Sequence, residues 1–335
     1  MTPEKLKLIS ASVIGESLVK KDFLNKSSVE TNYGSLIPIR KIDTNSTLPE
    51  KYQNKKVMFW LGESAVVIHY WGENYVEDPL YFRNLYQNSK EIYINELIPT
   101  PDLIDFDDKN MTLVIKRAEN DLSIYLSSKK ENEINFILDK SFNLFRSVWE
   151  KSKEEKMGFP RYVSSFLQPE YPFLKSRKID DYLSRDLMKT YKSVQNELTN
   201  YLDEVKKENF ENGFGFADVK LDNLVEDKDK ILFIDVEKPE KVNWLTLVGQ
   251  LYQDAVSKGN NSLFTKMLKE KSEKIFNKEK KQKLAVCHFN LGRMNRLLLP
   301  YTLRNISYNV ETNNKIDFDR LNKSLKEVQT LLHLS

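Results

Sequence analysis

One stretch, Phe214 to Val236, breaks an otherwise helical second half of the chain. Read by pattern, it runs strand, loop, strand, turn, strand. Leu224-Val225 and Ile231-Leu-Phe-Ile234 are the β-like runs, and Asp227-Lys-Asp-Lys230 is the turn between them. The first ~130 residues are strand-rich and the remainder mostly helical. Strands first, helices after, with one β-island inside the helices, is an α+β pattern. A length of 335 residues fits two domains, or one domain with two lobes.

The strand-rich part carries two hairpin signals. Lys56-Val-Met-Phe-Trp-Leu61 and Ala65-Val-Val-Ile-His-Tyr-Trp71 flank Gly62-Glu63-Ser64. Leu103-Ile-Asp-Phe106 and Met111-Thr-Leu-Val-Ile115 flank a polar turn at Asp107–Asn110. Ser35–Ile42 is a further candidate strand. Residues 81–97 suit a helix burying Leu85, Ile92, Ile94 and Leu97, ended by Pro99 and Pro101. Lys116–Asn120 is a polar connector, and Asp121 is a candidate helix N-cap. Apolar residues recur at helical spacing over 132–152, 179–207, 243–257, 262–277, 279–304 and 316–334.

Composition excludes several function classes. Glycine is 10 of 335 residues, against a usual ~7%, which argues against a glycine-rich Rossmann or P-loop fold. Net charge is +3 with basic runs in mixed-sign contexts, so no nucleic-acid partner is expected. One cysteine and three scattered histidines exclude an internal disulfide and Cys- or His-rich metal centres. No 18-residue apolar run occurs, so no membrane span is expected. Met1-Thr-Pro-Glu-Lys-Leu6 lacks the layout of a signal peptide, and a cytoplasmic chain is expected. Cys287-His288 and the Arg293/Arg296 pair read as core packing and salt-bridging residues.

The chemistry concentrates in the β-island. If its hairpin centres near Asp229, Asn223 lies opposite Asp235, and Asp218 precedes Asn223 by five residues. Two acids and an amide converge, with Glu237 just beyond. Their oxygens suit Mg²⁺, a hard cation that also takes phosphate oxygens. Each residue alone is an ordinary turn former. Asp218 and Asp235, however, each follow an apolar residue or run, where no turn aspartate is needed.

Asp218-Val-Lys-Leu-Asp-Asn223 resembles the catalytic loop of the protein-kinase superfamily, H-R-D-L-K-P-E-N, and the H-G-D-x-x-x-x-N loop of the aminoglycoside phosphotransferase and choline kinase branch. Ile234-Asp-Val-Glu237 is similar to that branch's I-D-W-E more than to D-F-G. The resemblance implies a two-lobed kinase-like fold, with a β-rich N-lobe over 1–117 and a helical C-lobe over 118–335. It implies ATP and Mg²⁺ as cofactors. Asp218 would be the base that takes the acceptor's hydroxyl proton, and Lys220 would neutralise the transferring phosphoryl group. Asn223 and Asp235 would hold the metal, with Glu237 as an auxiliary acid. Lys116, Arg117 and Ala118 would form the adenine-binding hinge, and Glu91 the inward acid of the 81–97 helix.

Departures accompany the resemblance. Phe216 and Ala217 replace the loop's first two residues, and no G-x-G-x-x-G occurs. Strand alignment puts His69 where the phosphate-binding lysine belongs, with Lys41 and Lys56 as alternatives in other registers. The branch's D-L-A is absent. About seven linking residues separate Asp235 from the next helix, whose N-cap is Asn243, too few for a peptide-binding activation segment, and no A-P-E follows. A small-molecule hydroxyl acceptor is therefore expected. The alternatives are a protein Ser/Thr kinase and a catalytically inactive binding module.

Overall fold

The computed structural model describes residues 7–20, 27–39, 56–70, 79–95, 98–122, 129–152, 213–216, 219–236, 239–257 and 263–279, with isolated helical positions between 185 and 200. The expected helices at 279–304 and 316–334, and nearly all of 179–207, lie outside these residues. The chain divides into two compact units, Met1–Asp121 with Val225–Lys238, and Leu122–Leu224 with Pro239–Ser335.

The first unit is built on a six-stranded antiparallel sheet, in the order β1-β2-β3-β4-β6-β5. Its strands are β1 (Val29–Thr31), β2 (Gly34–Pro38), β3 (Lys56–Leu61), β4 (Ala65–Tyr70), β5 (Leu103–Asp107) and β6 (Thr112–Lys116). Both expected hairpins form. β3 and β4 pair from Lys56↔Tyr70 to Leu61↔Ala65. Gly62 turns the corner at φ +60°, a left-handed conformation that costs glycine little.

Alternation along the strands sets two faces. Val57, Phe59 and Leu61 point with Ala65 and Val67 into a core shared with Ile14 and Leu18 of α1 (Ala11–Lys20). Sequence reading did not anticipate α1. Its stripe is Ala11, Ile14 and Leu18, all fully buried, and burying Ile14 and Leu18 contributes about 1.5–3 kcal/mol each. Asp105 accepts the Ala11 N–H at 2.7 Å, satisfying one orphan donor of the helix start.

The opposite face carries Tyr70, whose hydroxyl reaches α2 (Pro79–Asn95). α2 buries Leu85, Tyr86, Ser89, Ile92 and Tyr93, an i, i+4, i+7 stripe. Ile94, expected inside, is 47% exposed, because it lies about 200° around the helix from Ile92. A three-stranded sheet completes the unit, β10 (Lys230–Phe233), β9 (Leu224–Asp227) and β7 (Asn120–Asp121), in that order. Asp121 is a sheet residue paired with Val225, where a helix N-cap was expected. The β9–β10 turn falls at Lys228–Asp229, with Lys228 at φ +56°.

In the second unit, α3 (Glu131–Ser152) packs on β8 (Gly213–Phe216), α4 (Trp244–Ser257) and α5 (Leu263–Glu279). β8 pairs with β11 (Pro239–Val242). A Cβ on Gly213 would meet the Trp149 carbonyl at 2.5 Å, so glycine lets β8 lie against α3. Phe136 is 55% exposed under the Lys140 ammonium, 3.9 Å from its ring centroid. α4 begins as expected: Asn243 Oδ1 accepts the Leu245 N–H at 3.0 Å.

Candidate active site

In the first unit a cluster of interacting side chains grows from the end of β10. Ile231, Leu232 and Phe233 are buried, and the Phe233 N–H is held by the Pro99 carbonyl at 2.9 Å. Two residues on, Asp235 sits at φ +62°. A non-glycine residue held there costs on the order of 1 kcal/mol and persists only where its surroundings dictate it. Those surroundings are specific. The Lys56 ammonium is ion-paired with the Asp235 carboxylate. The next carbonyl, that of Val236, accepts the hydroxyl of Ser89, and Ser89 Oγ in turn accepts the Tyr70 hydroxyl at 2.6 Å. Lys56 also lies 5.9 Å from the Tyr70 ring centroid. Strands β3 and β4, helix α2 and the end of β10 thus meet around the Asp235–Val236 segment.

Two residues expected here are elsewhere. Glu91 is exposed, because the inward positions of α2 are Ser89, Ile92 and Tyr93; Ser89 is the polar residue turned toward the strand end. His69 lies opposite Val57 and Thr112 in the sheet, on the face away from Tyr70. It is buried, with Nδ1 3.0 Å from Thr112 Oγ1. Burial lowers its pKa to about 4, against the raising effects of Asp107 and of a hydrogen bond to the Asn110 backbone. Neutral near pH 7, it offers phosphates no charge. Lys41 is outside the described residues.

The shifted His69 makes stability depend on pH. The unfolded imidazole takes a proton near pH 6.5 and the folded one only near 4, so the unfolded state binds more protons between those values. The stability linked to His69 is complete above pH 6.5 and falls by about 3 kcal/mol as pH drops to 4. Denaturant melts of His69→Asn should show a flatter stability profile across that window than wild type. Parallel profiles would contradict the buried neutral imidazole.

The Lys116–Ala118 segment leaves β6 with two amides already engaged. Lys116 N–H bonds the Asp102 carbonyl at 2.8 Å, and Arg117 N–H the Ser64 carbonyl at 2.9 Å. Lys116 Nζ is 3.4 Å from an Asp227 carboxylate oxygen. The Arg117 guanidinium stacks 4.1 Å from the Trp60 ring centroid, a cation–π contact. Ala118 is the member of this segment whose N–H has no hydrogen-bond partner among the described residues.

In the second unit the loop before β9 carries Lys220 and Asn223. Lys220 caps a 3-10 turn, Leu221–Asn223, through its carbonyl, which accepts the Asn223 N–H at 3.0 Å. Asn223 is buried. The loop is tied to α4, which is buried along nearly its whole length, as a core helix is. Gln250 Oε1 accepts the Val219 N–H at 3.2 Å, and Asp254 Oδ2 the Leu221 N–H at 3.0 Å. Buried polar groups require such partners. Sequence reading missed this pair, although Gln250 and Asp254, polar residues at i, i+4 in a mostly apolar helix, are a visible signal. Asp218 and Glu237 lie outside the described residues.

Each unit carries a donor of a kind that Mg²⁺ takes: a carboxylate at Asp235 in the first and an amide oxygen at Asn223 in the second. Among the described residues no three His, Cys, Asp or Glu side chains cluster as a complete metal cage. Mg²⁺ sites that share the ion with substrate phosphates need only one or two carboxylates. No helix among the described residues is long and apolar enough to cross a membrane.

Solved structures match this architecture. It is similar to a choline/ethanolamine kinase family protein from Mesorhizobium loti, at 11% identity and a TM-score of 0.58, over 95% of this chain and 93% of that one. The chain has the protein-kinase-like fold. A thermostable mutant of aminoglycoside phosphotransferase APH(4)-Ia, in ternary complex with AMP-PNP and hygromycin B, matches at 12% identity and a TM-score of 0.55, over 96% and 98% of the two chains. The streptomycin-ATP-APH(2")-IIa ternary complex matches at 12% and 0.52, over 95% of each. No family model and no curated protein matches the sequence. In the kinase-like fold the strand that leads into the long N-lobe helix carries the phosphate-binding lysine. Here that strand is β4, Ala65-Val-Val-Ile-His-Tyr70, and it has no lysine.

Proposed function

We propose that the chain is a phosphotransferase that moves the γ-phosphoryl group of ATP to a hydroxyl of a small molecule. The observation that carries this reading is Asp235, a left-handed carboxylate fixed at the end of a buried strand by Lys56 and by the Ser89–Val236 bond. Backbone strain maintained by several elements marks a site where position matters. Phosphoryl transfer depends mainly on position and on charge neutralisation.

In this reading Asp218 takes the proton of the attacking hydroxyl. The anchors from Gln250 and Asp254 hold Val219 and Leu221, which follow it in the chain. Lys220 faces the charge that builds on the transferring group. Asn223, Asp235 and Glu237 are the residues that would hold Mg²⁺, and the ion when bound would supply charge neutralisation for the nucleotide phosphates. Lys116, Arg117 and Ala118 receive the adenine, with the Ala118 N–H as the available donor.

The short run of chain after Asp235 supports a small acceptor. Residues 239–242 form β11, paired with β8, and Asn243 already caps α4. The chain there is spent on sheet and helix, leaving none for a peptide platform. The solved relatives bind gentamicin, streptomycin or hygromycin B, so aminoglycosides and amino alcohols head the panel to test. ATP turnover should rise with at least one hydroxyl-bearing compound of that panel and stay at background with casein or myelin basic protein. Labelling of a protein substrate without any response across the compounds would reverse the choice.

A further inference from the structure

We propose that Lys56, on β3, supplies the cation that binds the nucleotide phosphates, in place of the residue on β4 that the fold normally uses. This rests on the phosphotransferase reading above and names a residue that the reading leaves open.

Strand geometry carries the inference. Alternate residues of a strand point to opposite faces. On β4 the residues that share the face of Tyr70 and α2 are Val66, Ile68 and Tyr70, none of them cationic. His69 points to the other face, into the layer of Ala65 and Val67 that α1 covers. It is buried and bonded to Thr112, so no rotation of its ring brings it to the site.

The residue directly opposite Tyr70 is Lys56. It is on the correct face, one strand over, and its ammonium rests on the Asp235 carboxylate. The side chains of Lys56 and Asp235 are 12% and 22% exposed, so the pair is shielded but open to a ligand. Asp235 would hold an ion of the kind that shares its coordination with substrate phosphates, and the Lys56 ammonium is the cation already at that carboxylate. The ammonium then bonds phosphate and carboxylate together, as a point charge with three rotatable donors can.

The replacement also explains α2. A phosphate-binding lysine on β4 is normally positioned by an acid of this helix. With the cation arriving from β3 and anchored by Asp235, α2 needs no inward acid. Ser89 stands inside instead and fixes the Asp235–Val236 backbone, while Glu91 faces solvent.

The test is fluorescence titration of the full chain with mant-ATP and Mg²⁺, alongside calorimetric titration with adenosine, which has no phosphates. Lys56→Met should weaken mant-ATP binding by about 10–100-fold, the range for losing a charged hydrogen bond, and leave adenosine binding as in wild type. Lys56→Arg, which keeps the charge, should bind mant-ATP more tightly than Lys56→Met. His69→Asn should change neither ligand. Retention of wild-type mant-ATP affinity by Lys56→Met would overturn the inference and leave the functional reading standing. So would equal loss of ATP and adenosine with a lowered melting temperature, the signature of a purely structural pin. A phosphate-selective loss in His69→Asn would return the role to β4. Wild-type protein that binds neither ligand would overturn both the reading and the inference.

Discussion

Replacing Asp218 by Asn is expected to lower phosphoryl transfer by about 10²–10⁴-fold, the range for losing a positioned general base. The substitution keeps the side chain's shape and removes its basicity. The neighbouring loop is independently fixed: Val219 and Leu221 donate their N–H groups to Gln250 and Asp254 on a core helix. The variant should therefore fold as wild type does and bind ATP with unchanged affinity, so the loss falls on turnover alone. Steady-state kinetics with the most stimulating acceptor, together with a thermal melt, decide the matter. Wild-type turnover in Asp218→Asn would remove the loop from the chemistry.

The second large effect is expected at Asp235. Asn is the informative substitution there, because it tolerates the left-handed backbone better than Ala does while losing the charge. Wild type with ATP and Mg²⁺ at ~100 times the dissociation constant should gain about 2.7 kcal/mol of stability. Asp235→Asn should lose nearly all of that gain, because its amide offers the ion only a neutral oxygen and leaves Lys56 without its charged partner. Without nucleotide its melting temperature should also fall, because the pair is shielded and Lys56 loses the Asp235 charge, so each protein's melt with ATP and Mg²⁺ is compared with its own melt without them. An undiminished shift by ATP and Mg²⁺ in the variant would show that Asp235 is not a metal ligand.

Much of this architecture was readable before the structure. The β3–β4 and β5–β6 hairpins arise from β-rich runs around short polar turns, a local signal. So does the cap of α4 at Asn243. The identity of the phosphate-binding cation was not readable, because it depends on which face of a sheet each residue takes. Local alignment favours His69, but register against β3 and β6 turns it into the α1 layer. A shift of one residue reverses every face in a strand, and only the pairing fixes it. The phase of α2 was misjudged in the same way. Taking Ile94 as buried rotated the inward face and made Glu91 the inward acid, whereas Leu85, Ser89 and Ile92 define the buried stripe. Helix α1 escaped notice because its buried stripe of three residues over ten positions, interrupted by the exposed Val13 and Val19, is a weak periodic signal. Its place depends on strands that lie ~20–100 residues further along the chain.

The central claim is that Asp235 and Lys56 serve a nucleotide's phosphates. A crystal or cryo-EM structure with a non-hydrolysable ATP analogue and Mg²⁺ tests it most directly. The expected map shows the ion on the Asp235 carboxylate and the Lys56 ammonium on a phosphate. A nucleotide bound away from Asp235, or with its phosphates turned from Lys56, would contradict it.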